Sequence, residues 1–410
     1  MSKVEAMLPQ LRFEGFSGEW KIVKLGDIAN IKRGASPRPI SDPVWFDENS
    51  SIGWVRISDV TKSNGVLKET TQYLSQKGIE KSRFIPSGNL IMSICATIGR
   101  PIYTGIDVCI HDGFVVFDNL KADLLCLLYI LQLIEKNWQR YGQPGAQVNL
   151  NSDIVSQEKI KLPNLEEQTK IGELFQKLDR AIELQQQKVE QSERYKKAML
   201  QKMFPQKGET EPQLRFEGFS GEWECQRLDE LVFFSKGKGY SKSDLCESGV
   251  EIILYGSLYT NYQTTISKVH TFAEDKGNSV YSEGVEVLLP SSGETSVDIA
   301  RASAVLKKGI ILGGDLNILK PKREYNSTFL ALNLTYSSAN RELIKRAQGQ
   351  VVVHLYNSDI AGVKLMLPTL EEQTKIGEFF QALDMRIEVE TKKLNHYESL
   401  KKAMLQRMFV

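Results

Sequence analysis

Histidine and cysteine are scarce: the chain has four histidines and five cysteines in 410 residues. The cysteines (Cys95, Cys109, Cys126, Cys225 and Cys246) form no CxxC pair and are odd in number. Neither a disulfide framework nor a thiolate metal site is expected, and a reduced, cytoplasmic setting with the thiols as small core residues is the natural reading. The histidines show no metal-site spacing. No apolar run reaches the length of a membrane span, and the opening MSKVEAMLPQ lacks the basic-then-apolar order of a signal peptide. An excess of one charge is also missing, since 52 Lys+Arg against 51 Asp+Glu leave a net charge of +1. That excludes a protein coated in basic surface and leaves room only for local basic patches.

Catalytic motifs are absent as well. There is no GxxxxGK[ST] phosphate loop, no GxGxxG after a strand, no HExxH and no GxSxG. An adenine or cytosine methyltransferase needs an FxGxG-like cofactor turn and an Asn/Asp-Pro-Pro-aromatic motif. The nearest lookalike, Phe234-Ser-Lys-Gly-Lys-Gly239, has the wrong spacing. His111-Asp112 has the form of a base with its orienter, but no nucleophile stands out beside it. No enzyme is expected.

What the chain does contain is a duplication. The stretch from Leu162 to Phe204, LPNLEEQTKIGELFQKLDRAIELQQQKVEQSERYKKAMLQKMF, returns without gaps from Leu367 to Phe409. Asn164 with Glu167, and Thr369 with Glu372, stand at capping-box spacing. Glu166, Glu167, Glu371 and Glu372 fall in the first helical turn, where they complement the helix dipole. Ile171, Phe175, Leu178 and Ile182, answered by Ile376, Phe380, Leu383 and Ile387, recur at threes and fours. Each copy therefore reads as one long helix with a heptad-like seam, interrupted by Gln185, Ser192 and Lys196. Some 40 residues at about 1.5 Å each span roughly 60 Å. The simplest partner for each helix is the other one.

A second repeat, PQLRFEGFSGEW, occupies Pro9 to Trp20 and recurs letter for letter at Pro212 to Trp223. The order is thus short segment, variable domain, long helix, and then all three again. The divisions are 1–20, 21–161, 162–206, 207–366 (the repeated segment with the second variable domain) and 367–410. If both copies pack alike, the N-terminal segment sits beside the end of the second helix. The expected fold is two-fold pseudo-symmetric, with two globular domains separated by a pair of long antiparallel, coiled-coil-like helices.

The variable domains share a plan despite their divergence. GNLIMSICATIG from Gly88 parallels GVEVLLPSSGE from Gly284, and Gly113–Phe117 parallels Gly309–Leu312. Helices are expected near Asp123–Arg140 and Ser327–Arg346, followed in both domains by Asn-Ser-Asp-Ile. Strand-like runs, Gly turns and one helix make these α/β or α+β domains.

Two loops at equivalent distances from the repeated segment carry the basic patches. One holds Lys32, Arg33, Ser36 and Arg38; the other holds Lys236, Lys238, Tyr240 and Lys242. Guanidinium and ammonium groups beside hydroxyls suit phosphate contacts, and Arg also reads guanine edges. In LYGSLYTNYQ, Tyr255, Tyr259, Asn261 and Tyr262 are further candidates. Lys196, Lys197, Lys401 and Lys402 near the helix ends are read as solvated.

On these residues the chain resembles the specificity subunits of type I restriction-modification systems. The resemblance covers essentially the whole length. It rests on the duplicated LPxLEEQTKIGE opening with its KKAMLQ(K/R)MF close, on PQLRFEGFSGEW, and on the loops RGASPRPI and SKGKGYSKSDL. It implies two target recognition domains, each reading one half of a split double-stranded DNA target, with the helices as spacer and docking surface. It also implies two methyltransferase subunits per chain, which bring S-adenosylmethionine, and separate restriction/translocase subunits, which use ATP. This chain would then hold no cofactor or metal and would catalyse nothing, with no membrane involved. Two other readings remain open: a non-catalytic scaffold, and a silent copy that donates recognition domains. The scaffold predicts no salt-sensitive DNA binding.

Overall fold

The helical periodicity becomes two helices, Leu165–Lys202 and Leu370–Phe409. The structure is a computed structural model and describes residues 8–63, 65–141 and 150–409. Asn164 Oδ1 accepts the Glu167 N–H at 2.9 Å, and Thr369 Oγ1 accepts that of Glu372 at 3.4 Å. Each satisfies a donor that a helix start leaves without an intrahelical partner.

The two glutamate side chains go elsewhere than a capping box implies. Glu167 takes the Arg12 guanidinium on both oxygens at 2.7 and 2.8 Å, and Glu372 takes Arg215 at the same distances. Both glutamates are fully buried. A buried carboxylate needs a paired, hydrogen-bonded cation, and the planar guanidinium supplies two parallel bonds. The repeated PQLRFEGFSGEW segment thus clamps the helix starts, beyond the dipole role expected of these acids.

Two compact units divide the helices between them. One comprises Met1–Gln186 with Lys392–Val410, the other Gln187–Thr391. In the first unit the beginning of the first long helix runs antiparallel to the end of the second. Phe175 stacks on Phe409 at 5.9 Å, and Asp179 pairs with Lys401 at 2.5 Å. The second unit repeats this with Phe204 beside Phe380 at 6.3 Å and Asp384 paired with Lys196. Lys196 and Lys401, read as solvated, are therefore spent on ion pairs. Ile171 and Phe175 lie in the same apolar core as Trp20, Phe117, Met408 and Phe409, and Ile376 and Phe380 join Phe204, Trp223 and Phe329. Leu178, Ile182 and Ile387 are half-buried, and Leu383 is buried.

The short repeated segments sit where the duplication places them. The Leu11 N–H donates to the Arg407 carbonyl at 2.9 Å, and Trp20 meets Phe409 edge-on at 6.1 Å. In the other unit the Leu214 N–H donates to the Lys202 carbonyl at 2.9 Å, and Trp223 meets Phe204 at 6.1 Å.

Both variable domains are mixed α/β with a five-stranded sheet of one strand order. In the first it runs Asn30–Arg33, Phe114–Asp118, Leu90–Ser93, Pro101–Thr104, Val66–Leu67. In the second it runs Val232–Lys236, Leu316–Pro321, Val287–Pro290, Ser303–Val305, Thr265–Ile266. All neighbours are antiparallel except the last pair, which is parallel in both. A short ribbon, Lys21–Lys24 with Lys159–Leu162 and Glu224–Arg227 with Lys364–Leu367, closes each domain just before its long helix.

This topology corrects one correspondence. The partner of Phe114–Asp118 is Leu316–Pro321, whereas Lys308–Leu312 belongs to a different sheet and pairs in parallel with Val250–Ile253. Its counterpart in the first domain is Val108–Ile110, parallel to Gly53–Val55. Short apolar runs look alike in sequence, and only pairing tells them apart. The helices are also shorter than expected. Leu124–Ile134 gives way to a 3₁₀ stretch, Glu135–Tyr141, and Ser337 caps a second start at Ala339, dividing Ser327–Tyr336 from Ser338–Arg346. All five cysteines are free, but only Cys109 and Cys126 are buried, while Cys225 and Cys246 are exposed. Among the described residues no helix is long and apolar enough to cross a membrane, and no cluster of three metal-ligating side chains occurs.

Candidate nucleic-acid interface

Each basic loop leaves the first strand of its five-stranded sheet and presses against the turn before the neighbouring strand. In the first domain the Gly34 N–H donates to the Phe114 carbonyl at 2.9 Å and the Ala35 N–H to Ile110 at 3.1 Å. In the second, Gly237 donates to Leu316 and Lys238 to Leu312, both at 3.2 Å. A Cβ on Gly34 would lie 2.0 Å from the His111 carbonyl oxygen, and one on Gly237 would lie 1.8 Å from that of Gly313. Glycine is therefore required at both positions. The two loops are equivalent in space, as their spacing implied.

Their side chains are organised differently. In the first domain Asp112 gathers them. Arg33 Nε donates to the Asp112 carbonyl at 2.6 Å, the Ser36 hydroxyl to its carboxylate at 3.0 Å, and Arg38 approaches the other carboxylate oxygen at 3.6 Å. Burial works against the charge on Asp112, but the Ser36 hydroxyl, His111 and Arg33 outweigh it and hold its pKa below the usual range. Arg38 remains largely exposed, whereas Lys32 is tied to Asp118 at 2.6 Å. His111 is not placed as a general base. Its Nδ1 accepts the Gly113 N–H at 2.9 Å, and its ring lies between Trp54 and Phe114. Burial lowers its pKa, with Asp112 opposing. Cys95 flanks the same glycine, but burial and then Asp112 push its thiol up, away from the reactive thiolate.

In the second domain Gly313-Gly314 stand where His111-Asp112 stand in the first, so a carboxylate at the place of Asp112 is replaced by glycine. Lys236 lies over the Tyr356 ring at 5.3 Å, and Lys238 and Lys242 are exposed. Two tyrosines read as DNA contacts are instead structural. Tyr240 is buried, with its hydroxyl 2.6 Å from Ser279 and accepting the Lys276 N–H at 2.9 Å. Lys276 then bonds the Gly239 carbonyl at 2.9 Å and Asp244 at 2.6 Å, which shapes the loop. Tyr262 donates to the Ala302 carbonyl at 3.2 Å, and burial raises its pKa. Aromatic rings in loops fill gaps beneath them as readily as they face a ligand. Tyr259 is half-buried, its ring 6.3 Å from Tyr255, and borders Gly293.

Sequence reasoning passed over the stretch from Gln348 to Tyr356, which joins this surface. Val353–His354 pairs with Ser292–Gly293, His354 stacks on Tyr356 at 5.8 Å, and Asn357 Nδ2 donates to the Ser235 carbonyl at 3.2 Å. The signal available was three successive valines after a Gly-Gln pair. The corresponding stretch of the first domain contains 142–149, outside the described residues. The helix positions Ile171, Phe175, Ile376, Phe380 and Leu383, read as spacer and docking residues, are consumed by the chain's own cores.

Comparison with known proteins agrees with this arrangement. The family model described as type I restriction modification DNA specificity domain matches twice, over residues 17–194 and 220–398. The chain is 22% identical over 404 residues to the type I restriction enzyme MjaVIII specificity subunit of Methanocaldococcus jannaschii, covering 94% of this chain and 91% of that one. It is 24% identical over 413 residues to the putative MjaX specificity subunit of the same organism, covering 94% and 92%. Its fold is similar to the crystal structure of the type I restriction-modification system S subunit from M. genitalium, with a TM-score of 0.66 at 14% identity over 98% and 99% of the chains. A chain from work on complex assembly and conformational transition of the type I R-M system aligns with a TM-score of 0.53 at 17% identity, over 95% and 97%. With both of its halves matched by one family model, the chain belongs to the type I restriction-modification DNA specificity family.

Proposed function

We propose that this chain is the sequence-reading, non-catalytic subunit of a type I restriction-modification complex, and that each variable domain contacts one half of a bipartite DNA target. One observation carries the reading. The same edge of the same sheet bears a basic loop in both domains, held by matching backbone bonds but furnished with different side chains. Matching frames with different contact groups are what two half-sites of unlike sequence require. Arg33 and Arg38 in the first domain, and Lys236, Lys238 and Lys242 in the second, supply the phosphate and base contacts.

In this proposal S-adenosylmethionine and ATP are held by partner subunits, the methyltransferase and the restriction/translocase respectively. The chain offers its helix frame twice, which suits two methyltransferase subunits. Because Ile171, Phe175, Ile376, Phe380 and Leu383 are buried in the chain's own cores, those subunits dock on outward faces such as that of Met385 and Val389, which are 61% and 50% exposed one helical turn apart.

The direct test is co-expression with the methyltransferase subunit, followed by sequencing of methylated adenines in the host genome. A bipartite motif with a fixed gap is expected. Assembly without any adenine methylation would instead favour a scaffold or a silent copy. The helices set the gap: four residues inserted into one of them add about 6 Å and are expected to change it by one or two base pairs. An unchanged gap would remove the helices as the ruler.

A further inference from the structure

Beside the basic loop of the second domain stands a hairpin whose tip is apolar. Gln348 and His354 exchange both backbone hydrogen bonds, at 2.9 and 2.7 Å. Gly349 closes the turn with φ +125°, and a Cβ there would lie 2.0 Å from the Val352 carbonyl oxygen. The hairpin's root is held on several sides. The Leu355 N–H donates to Ser291 at 3.0 Å, the buried Asn317 amide donates to the Leu355 carbonyl at 2.7 Å, and Lys236 covers the Tyr356 ring on which His354 stacks.

At the tip Val351 is 88% exposed and Val352 50%. A single exposed valine on a loop is unremarkable in a soluble protein. Two adjacent ones on a tight loop, closed by the Gln348–His354 bridge and braced at its root by Ser292–Gly293 and by Lys236 at the end of the first sheet strand, form an apolar probe beside a cation. The major groove is wide enough for a two-stranded β-ribbon and so admits a loop as narrow as this one, and the apolar group that base edges offer there is the thymine 5-methyl.

We propose that the Gln348–His354 hairpin enters the major groove of the half-site read by the second domain, and that Val351 packs on a thymine methyl there. Lys236 contacts a phosphate flanking that step and fixes the approach of the loop. The proposal rests on the DNA-reading function above and adds the base, the chemical group and the residue. The exposed position of Val351 leaves it free to be changed without disturbing the core.

The test uses the full chain assembled with its methyltransferase subunits, and the target motif from adenine-methylation sequencing. Each thymine of the second domain's half-site is replaced in turn by deoxyuridine, which lacks only the 5-methyl. Affinities are measured for the wild-type complex and for Val351→Ala. One replacement is expected to weaken wild-type binding about four-fold, the worth of roughly one buried methyl. The same replacement should leave the Val351→Ala complex almost unchanged, and replacements in the other half-site should do nothing that depends on Val351. The proposal is overturned by a half-site without thymine, by no sensitivity to deoxyuridine, or by equal losses in both complexes. A complex that binds the motif no better than unrelated duplex overturns the DNA-reading function itself, and the hairpin assignment with it.

Discussion

The two variable domains share the helix clamp, the strand order of one five-stranded sheet and the glycine that turns the basic loop, and differ in the side chains those loops present. Arg12–Glu167 and Arg215–Glu372 have the same geometry, the five-stranded sheets have one strand order, and Gly34 and Gly237 press on equivalent turns. Next to those glycines, however, His111-Asp112 in one domain becomes Gly313-Gly314 in the other. The first domain therefore presents arginines steered by Asp112, while the second presents lysines with glycine at that place and adds an apolar hairpin. Frame and contact surface are separable. Pairing and burial constrain the frame strongly, and a solvent-facing loop can change its chemistry without disturbing them.

Breaking the frame should produce the largest effects, and equal ones in the two halves. Removing one partner of a buried ion pair leaves an uncompensated charge, so Arg12→Ala and Arg215→Ala are each expected to cost about 3–5 kcal/mol. Denaturant unfolding of the two variants measures this, and clearly unequal losses would break the equivalence of the units.

The loops should respond in opposite directions. Asp112→Asn keeps the hydrogen bond with Ser36 but releases Arg38. Binding through the first domain is then expected to tighten and to depend more steeply on salt, by roughly one phosphate contact. Lys238→Ala should do the reverse in the second domain, lowering the slope by about one while leaving base preference intact. Titrations across a salt series separate the two. Weaker, less selective binding by Asp112→Asn would show that the carboxylate itself accepts from a base edge.

Much of the frame was legible in the sequence because duplication and helical period are local signals. The long helices, their antiparallel pairing and the docking of the N-terminal segment on the end of the second helix all follow from the repeats. The role of Glu167 and Glu372 was legible only in part. Their helix positions were clear, but the arginines that hold them lie more than 150 residues away. Tyr240 and Tyr262 looked like contact residues because an aromatic in a Gly-rich loop carries no mark of which way it turns. Lys308–Leu312 was matched to the wrong strand for a related reason: a short apolar run does not name its partner.

By itself the sequence determined that the chain is built twice and that its helices are long and amphipathic. Those properties depend on composition and on spacings within one element, and both are visible along the chain. The tertiary structure decided which glutamates are buried, which lysines are spent on Asp118, Asp179 and Asp384, which tyrosines are tied down by their hydroxyls, and that Val351 and Val352 form an exposed tip while Val353 is buried. Each of these depends on contacts between residues far apart in the chain. Such contacts exist only once the backbone has closed, because burial and partner together set the fate of a side chain.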